Sequence, residues 1–116
     1  MNEITISDVR NFLDSINVKI DIYGMVFVNR QRCQETMRML GISEKVAKNI
    51  IKDLDEKDFS KYFSDDIQWG CDLWAFGKDI NGEEIYIKIG LGLPNRQAIC
   101  ISFHKADFPI HYPFKS

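Results

Sequence analysis

The dipeptide Asn81-Gly82 lies between two stretches in which apolar and polar residues alternate, and this arrangement constrains the fold more than any other feature of the chain. Asn-Gly is a preferred centre for a two-residue β-hairpin, because both positions must adopt positive φ. The flanking stretches DLWAFGK and EIYIKIGL therefore predict two paired strands. A Pro-Asn-Arg turn and the stretch AICISFH predict a third strand.

The first half of the chain has helical periodicity instead. Ser7 is a predicted N-cap, and Gly41 and Ser43 are predicted to end a second helix and begin a third. The stretch Ile20–Val28 predicts a short strand, and Asp55–Phe63 predicts a short helix capped by its first residue. The apolar face of the first helix comprises Val9, Phe12, Leu13 and Ile16. Helices followed by a meander of strands predict a single α+β domain spanning residues 1–116.

The net charge and the cysteine content limit the kinds of function that this chain can have. The formal net charge is -2, so nucleic-acid binding would require a local basic patch. Cys33, Cys71 and Cys100 are far apart and lack zinc-site spacing, which predicts no metal site and a reduced, cytoplasmic protein. The first ten residues lack the apolar stretch of a signal peptide, and no apolar run reaches the length of a membrane span, so no membrane association is expected.

Alternation within the late strands predicts which side chains face the core. Ile85, Ile87 and Ile89 should point inward, and Ile99, Ile101 and Phe103 should do the same from the next strand. The opposite face would carry Tyr86, Lys88, Ser102 and His104. A polar face of this kind is normal in antiparallel sheets and does not by itself indicate a function.

Two further residues, Cys100 and His111, could carry chemistry near this face. Cys100 and His104 would share a face but lie too far apart along it for a Cys–His nucleophile. His111 lies between Pro109 and Pro113, and we expect it to have a structural role.

The order of several short motifs resembles the MqsR family of toxins, from bacterial type II toxin–antitoxin systems. The motifs are DFSK (Asp58–Lys61), DLW (Asp72–Trp74), EIYIKI (Glu84–Ile89) and ICISFH (Ile99–His104), with ISDVRNFL (Ile6–Leu13) resembling the opening helix. The resemblance implies a RelE-like fold, with N-terminal helices packed on a C-terminal curved antiparallel sheet. It also implies a metal-independent endoribonuclease without a cofactor, which cleaves mRNA, free or on the ribosome, and is neutralised by a cognate antitoxin.

The resemblance assigns catalytic roles to Lys61, Tyr86 and His104. In such a site, Lys78 and Lys88 are the predicted substrate-binding residues, because ammonium groups stabilise phosphate oxygens. The chain departs from the family at two positions. His104 stands where the family has a lysine, which replaces a fixed charge with a titratable one, and Ala75 stands where the family has a glutamine.

Two other functions remain open from the residues alone. The polar face or an edge of the sheet could serve a non-catalytic protein-binding module. An enzyme acting on nucleotides or small phosphates is the second alternative. The stretch GLGLPNR is rich in glycine, but it lacks the GK[ST] ending and the following helix of a phosphate-binding loop.

Overall fold

A computed structural model describes residues 3–115 and shows, over these residues, an α+β fold of three α-helices and a five-stranded mixed sheet. The helices are α1 (Ile6–Tyr23), α2 (Arg30–Leu40) and α3 (Glu44–Lys52), followed by a 3-10 turn at Glu56–Asp58. The strands are β1 (Met25–Phe27), β2 (Phe59–Asp66), β3 (Cys71–Ile80), β4 (Glu83–Gly90) and β5 (Ala98–Lys105). Within this part of the chain, none of the helices has the apolar length that a bilayer span requires.

The sheet has the order β1-β5-β4-β3-β2. Strands β2 to β5 form the predicted antiparallel meander, including the hairpin at Asn81-Gly82. β1 instead pairs in parallel with β5, from Met25 opposite Ala98 to Phe27 opposite Cys100. The sheet is therefore mixed rather than antiparallel throughout. No hairpin turn links β1 to β5, so nothing in the local sequence fixes their relative direction.

The predicted caps of α2 and α3 are confirmed, whereas the predicted N-cap of α1 is wrong. Thr5, not Ser7, is the N-cap: its hydroxyl accepts from the Asp8 amide at 3.2 Å, and the Asp8 carboxylate accepts from the Thr5 amide at 2.8 Å. This reciprocal capping box satisfies two backbone donors of the first turn. Gly41 ends α2 in the left-handed conformation, and Ser43 caps α3, as predicted.

Two segments differ from their predicted secondary structure. The predicted strand Ile20–Val28 is helical up to Tyr23, and only Met25–Phe27 is extended. Asp55 caps a turn as expected, but the chain becomes strand β2 at Phe59 instead of continuing as a helix. Packing decides this second case, because Phe59 and Tyr62 contact the Trp74 ring at centroid distances of 5.9 and 4.7 Å.

The helices pack on one face of the sheet and form a single core with it. Phe12 of α1 stacks on Trp74 of β3 with ring centroids 4.6 Å apart. Ile85, Ile87 and Ile89 are fully buried on this face, which confirms the prediction for β4. Burial of each such side chain contributes roughly 1.5–3 kcal/mol.

The prediction for β5 is wrong at two of its three apolar residues because the strand contains a bulge. Ile89 pairs with Cys100 and Lys88 pairs with Ser102, which leaves Ile101 without a partner on β4. The additional residue shifts the alternation by one position. Cys100 and Phe103 are therefore fully buried in the core, whereas Ile99 and Ile101 are only partly buried.

Candidate functional site

The sheet face opposite the helices carries polar side chains in two neighbouring rows, and we call it the polar face. Tyr86 and His104 are cross-strand partners and form the first row. The second row contains Lys88 and its partner Ser102 from β5, with Lys61 aligned from β2. Alternate residues on a strand are roughly 7 Å apart, so the two rows are neighbours. All of the predicted polar side chains except Lys78 thus share one face.

The centre of both rows is occupied by small residues of β3. Gly77 pairs with Tyr86, and Ala75 pairs with Lys88. Neither position carries a large side chain, and both are buried: side chains of the C-terminal segment lie directly against Gly77.

His104, at the β5 end of the first row, is 9% exposed. Its Nδ1 lies 2.9 Å from the Lys105 carbonyl oxygen. A carbonyl can only accept, so Nδ1 carries the proton and donates, and Nε2 of the neutral ring is left as an acceptor. The Tyr86 ring lies 5.5 Å from the imidazole, centroid to centroid. Burial raises the pKa of Tyr86, which keeps its phenol protonated and able to donate at neutral pH.

The two lysines of the second row converge on the ring of Phe63. The Lys88 Nζ lies 4.0 Å from the ring centroid and the Lys61 Nζ lies 5.1 Å from it. Such cation–π contacts contribute about 0.5–1 kcal/mol at exposed sites. Among residues 3–115, neither ammonium group forms an ion pair with a carboxylate. Two positive charges therefore share this end of the polar face without a counter-charge.

The C-terminal segment Ala106–Lys115, which we call the tail, crosses the other end of the polar face. Tyr112 donates its hydroxyl proton to Glu84 at 2.7 Å, and the Ile110 amide donates to the same carboxylate at 3.4 Å. The side chains of Tyr112 and Ile110 lie against Gly77. A Cβ added to Gly77 would be 2.2 Å from the Tyr112 hydroxyl oxygen and 2.7 Å from Ile110 Cδ1. The close crossing therefore depends on glycine at this position.

A pocket of about 320 Å³ lies between the tail and the first row. Its lining comprises Ser60, Tyr86, His104 and tail residues 106–111. Lys61 and Lys88 are not part of this lining, so the pocket and the pair of lysines occupy different ends of the polar face.

Lys78 is the one predicted site residue that the structure does not bring to this group. It pairs with Ile85 and so lies on the helix side of the sheet, where its Nζ contacts the Asp58 carboxylate at 3.4 Å. Cys100 also faces the helix side, opposite His104, and burial raises the pKa of its thiol well above the usual value. A Cys–His pair is thus excluded by the orientation of the two side chains as well as by their spacing.

Sequence reasoning missed three components of the site: Ser60, Phe63 and the tail. On a strand, Lys61 and Phe63 would share a face, but FSKYF has no clear alternation of apolar and polar residues, and the sequence predicts a helix there. No sequence signal predicts the path of the tail. Among the described residues 3–115, no three His, Cys, Asp or Glu side chains form a group that could hold a metal ion.

Comparison with known proteins adds no assignment, since no protein-family model, curated protein or solved structure matches this chain.

Proposed function

We propose that this chain is the toxin of a type II toxin–antitoxin system and a metal-independent endoribonuclease, with a RelE-like fold. The observation that carries the proposal is the polar face itself. Lys61, Tyr86, Lys88 and His104 lie in two adjacent rows on one face of the sheet. These are the residue types that RNA cleavage without a metal requires. Lys61 and Tyr86 match residues of the MqsR family, and His104 stands where the family has a lysine.

Metal-free cleavage uses the 2′-OH of the RNA as the nucleophile against the adjacent phosphorus. A base must take the hydroxyl proton, and positive charge must stabilise the phosphorane. His104 is suited to act as the base, because its Nε2 is the unprotonated nitrogen of the neutral ring. The ammonium groups of Lys61 and Lys88 would stabilise the non-bridging oxygens, and the protonated phenol of Tyr86 would orient the phosphate by hydrogen bonding.

The net negative charge of the whole chain is compatible with a ribonuclease. The net charge of -2 disfavours general attraction to RNA. Lys61 and Lys88 form a local basic site beside the half-buried ring of Phe63, and basic residues beside an aromatic ring are a combination that single-stranded RNA can use.

The decisive experiment measures cleavage of an unstructured RNA by the purified protein in the presence of a chelator. We expect products with 2′,3′-cyclic phosphate ends. His104→Ala should lower the rate about 10²- to 10⁴-fold, the usual contribution of a general acid or base. Lys45→Ala, which alters an exposed lysine of α3, is the control and should retain full activity. Wild-type protein that leaves the RNA intact would contradict the proposal.

The cellular part of the proposal has its own test. Induced expression in the cytoplasm should arrest growth, and co-expression of a cognate antitoxin should restore it. His104→Ala should also restore growth at equal protein levels. Growth arrest by the His104 variant would show that the toxicity does not come from RNA cleavage.

A protein-binding module is the second candidate, and the open edge of the sheet favours it. In the sheet that residues 3–115 form, β2 is the last strand and pairs with β3 alone. An incoming strand could therefore add to β2 by backbone hydrogen bonds. In that case Lys61→Ala and His104→Ala would leave partner binding unchanged, whereas a proline in β2 would abolish it.

A further inference from the structure

The two histidines of the chain line one pocket from two different parts of the fold. His104 belongs to β5 and forms part of the floor. His111 belongs to the tail, which forms the wall above that floor. The pocket volume of about 320 Å³ is at the lower end of the range for small-molecule sites, which suits a single phosphodiester and its sugar.

Contacts on both sides of His111 hold this part of the tail in place. Before it, the Asp107 carboxylate pairs with Arg32 of α2 at 3.1 Å. After it, the Tyr112 hydroxyl is bonded to Glu84. The side chain of His111 is itself exposed to solvent, so a ligand in the pocket can reach it. Two imidazoles that line the same pocket are suited to proton transfer at both ends of a reacting group.

We infer that His111 is the second proton-transfer residue of this pocket. The inference rests on the proposed function, because it assigns a step in RNA cleavage. His104 Nε2 takes the proton of the 2′-OH as the 2′-oxygen forms its bond to phosphorus. The bond from phosphorus to the 5′-oxygen breaks, its electron pair stays on that oxygen, and protonated His111 supplies the proton. The products are a 2′,3′-cyclic phosphate and a 5′-hydroxyl, so atoms and charge balance without any other reactant.

The pH dependence of cleavage follows from these roles. The other titratable or charged groups that line the pockets at the two imidazoles are Tyr86 from β4, Arg32 and Glu35 from α2, Lys105 from β5 and Asp107 from the tail. The Glu84 carboxylate is bonded to Ile110 and Tyr112, the residues on either side of His111. Of the side chains present, imidazole is the one that ordinarily changes charge between pH 5 and 8. The rate should rise with pH as the base loses its proton and fall as the acid loses its proton, which gives a bell-shaped profile.

The test compares pH–rate profiles of the wild type, His104→Gln and His111→Gln on a dinucleotide that has no secondary structure. We expect His111→Gln to lower the maximal rate about 10²- to 10⁴-fold and to remove the decline at high pH. His104→Gln should remove the rise at low pH. Lys115→Gln is the control in the tail, because it alters a charge outside the pocket lining. It should keep both limbs of the profile.

The outcomes separate this inference from the proposed function. If the wild type and His111→Gln show the same rate and the same bell, His111 has no part in catalysis, while the ribonuclease assignment stands. If the wild type does not cleave, both fail together. A loss of rate in His111→Gln with both limbs retained would also overturn the inference, because it would indicate a structural effect of the tail.

Discussion

The replacement Gly77→Ala tests whether the tail wall depends on the close approach at β3. An alanine Cβ would lie 2.2 Å from the Tyr112 hydroxyl oxygen, 2.8 Å from its Cζ and 2.7 Å from Ile110 Cδ1. Real Cβ atoms do not approach other heavy atoms this closely, so either the strand or the tail must move. β3 is the second strand from the edge and is paired on both sides, whereas the tail is held mainly by side-chain contacts. The tail should therefore move.

The size of the effect follows from what the tail loses. The hydrogen bond from Tyr112 to the Glu84 carboxylate is a charged one, and such bonds contribute roughly 1.5–3 kcal/mol. The tail side chains are only half-buried, and release of the chain regains backbone entropy, so the lost packing is largely offset. We expect a net destabilisation of about 1–3 kcal/mol, as for other overpacked sites. For a domain of this size, each 1 kcal/mol corresponds to a fall in Tm of about 4 °C.

Thermal unfolding and amide hydrogen exchange together measure this effect. Gly77→Ala should lower the Tm and increase exchange in the tail, with little change in the exchange of β3 and β4. Tyr112→Phe removes the hydrogen bond without adding a Cβ and serves as the comparison. In the double variant the two losses should be less than additive, since both act through one contact. An unchanged Tm and a protected tail in Gly77→Ala would refute the account of the crossing.

Two further predictions concern the sheet. Tyr62 donates to Asp72 at 2.7 Å, and this hydrogen bond together with burial raises the pKa of Tyr62 to about 12. The folded-state pKa exceeds the usual value of about 10, so the stabilising effect is complete below pH 10 and is lost as the pH rises toward 12. Wild-type stability in urea should then decline more steeply over this range than that of Tyr62→Phe, and equal slopes would contradict this. Deletion of Ile101 should remove the bulge and leave a folded protein by circular dichroism, whereas deletion of Ile87 from unbulged β4 should prevent folding. The opposite ranking would disprove the assigned register.

Most of the fold could be predicted from the sequence because its signals are local. The alternation of Ile85, Ile87 and Ile89 and the Asn81-Gly82 turn define the β3–β4 hairpin without reference to the rest of the chain. The parallel placement of β1 could not be predicted in this way. Its three residues pair with a strand at the other end of the sequence, and no local pattern specifies the direction of such a pairing.

The bulge in β5 shows why a strand can be predicted correctly while the faces of its side chains are predicted wrongly. The stretch from Ile99 to His104 alternates perfectly in sequence, and perfect alternation predicts that Phe103 shares a face with Ile101. The extra residue in the ladder breaks that relation in the middle of the strand. His104 was nevertheless assigned to the correct face, because it follows the bulge in the same register as Phe103. The predicted site residues of β4 and β5 lie on the β3–β4 hairpin side of the bulge, where pairing is regular, so their predicted face is correct.

The placement of charge along the polar face follows from the tail as much as from the strands. Glu84, Tyr86 and Lys88 alternate on β4 and share this face, so an unengaged Glu84 carboxylate would compete for the ammonium groups. The Tyr112 hydroxyl and the Ile110 amide bind that carboxylate at the tail end of the face instead. Lys88 extends in the opposite direction, over Phe63. The polar face therefore has a negative end and a positive end. The Glu84 carboxylate lies under the tail, and the ammonium groups of Lys61 and Lys88 lie two rows away. His104 lies in the row between them.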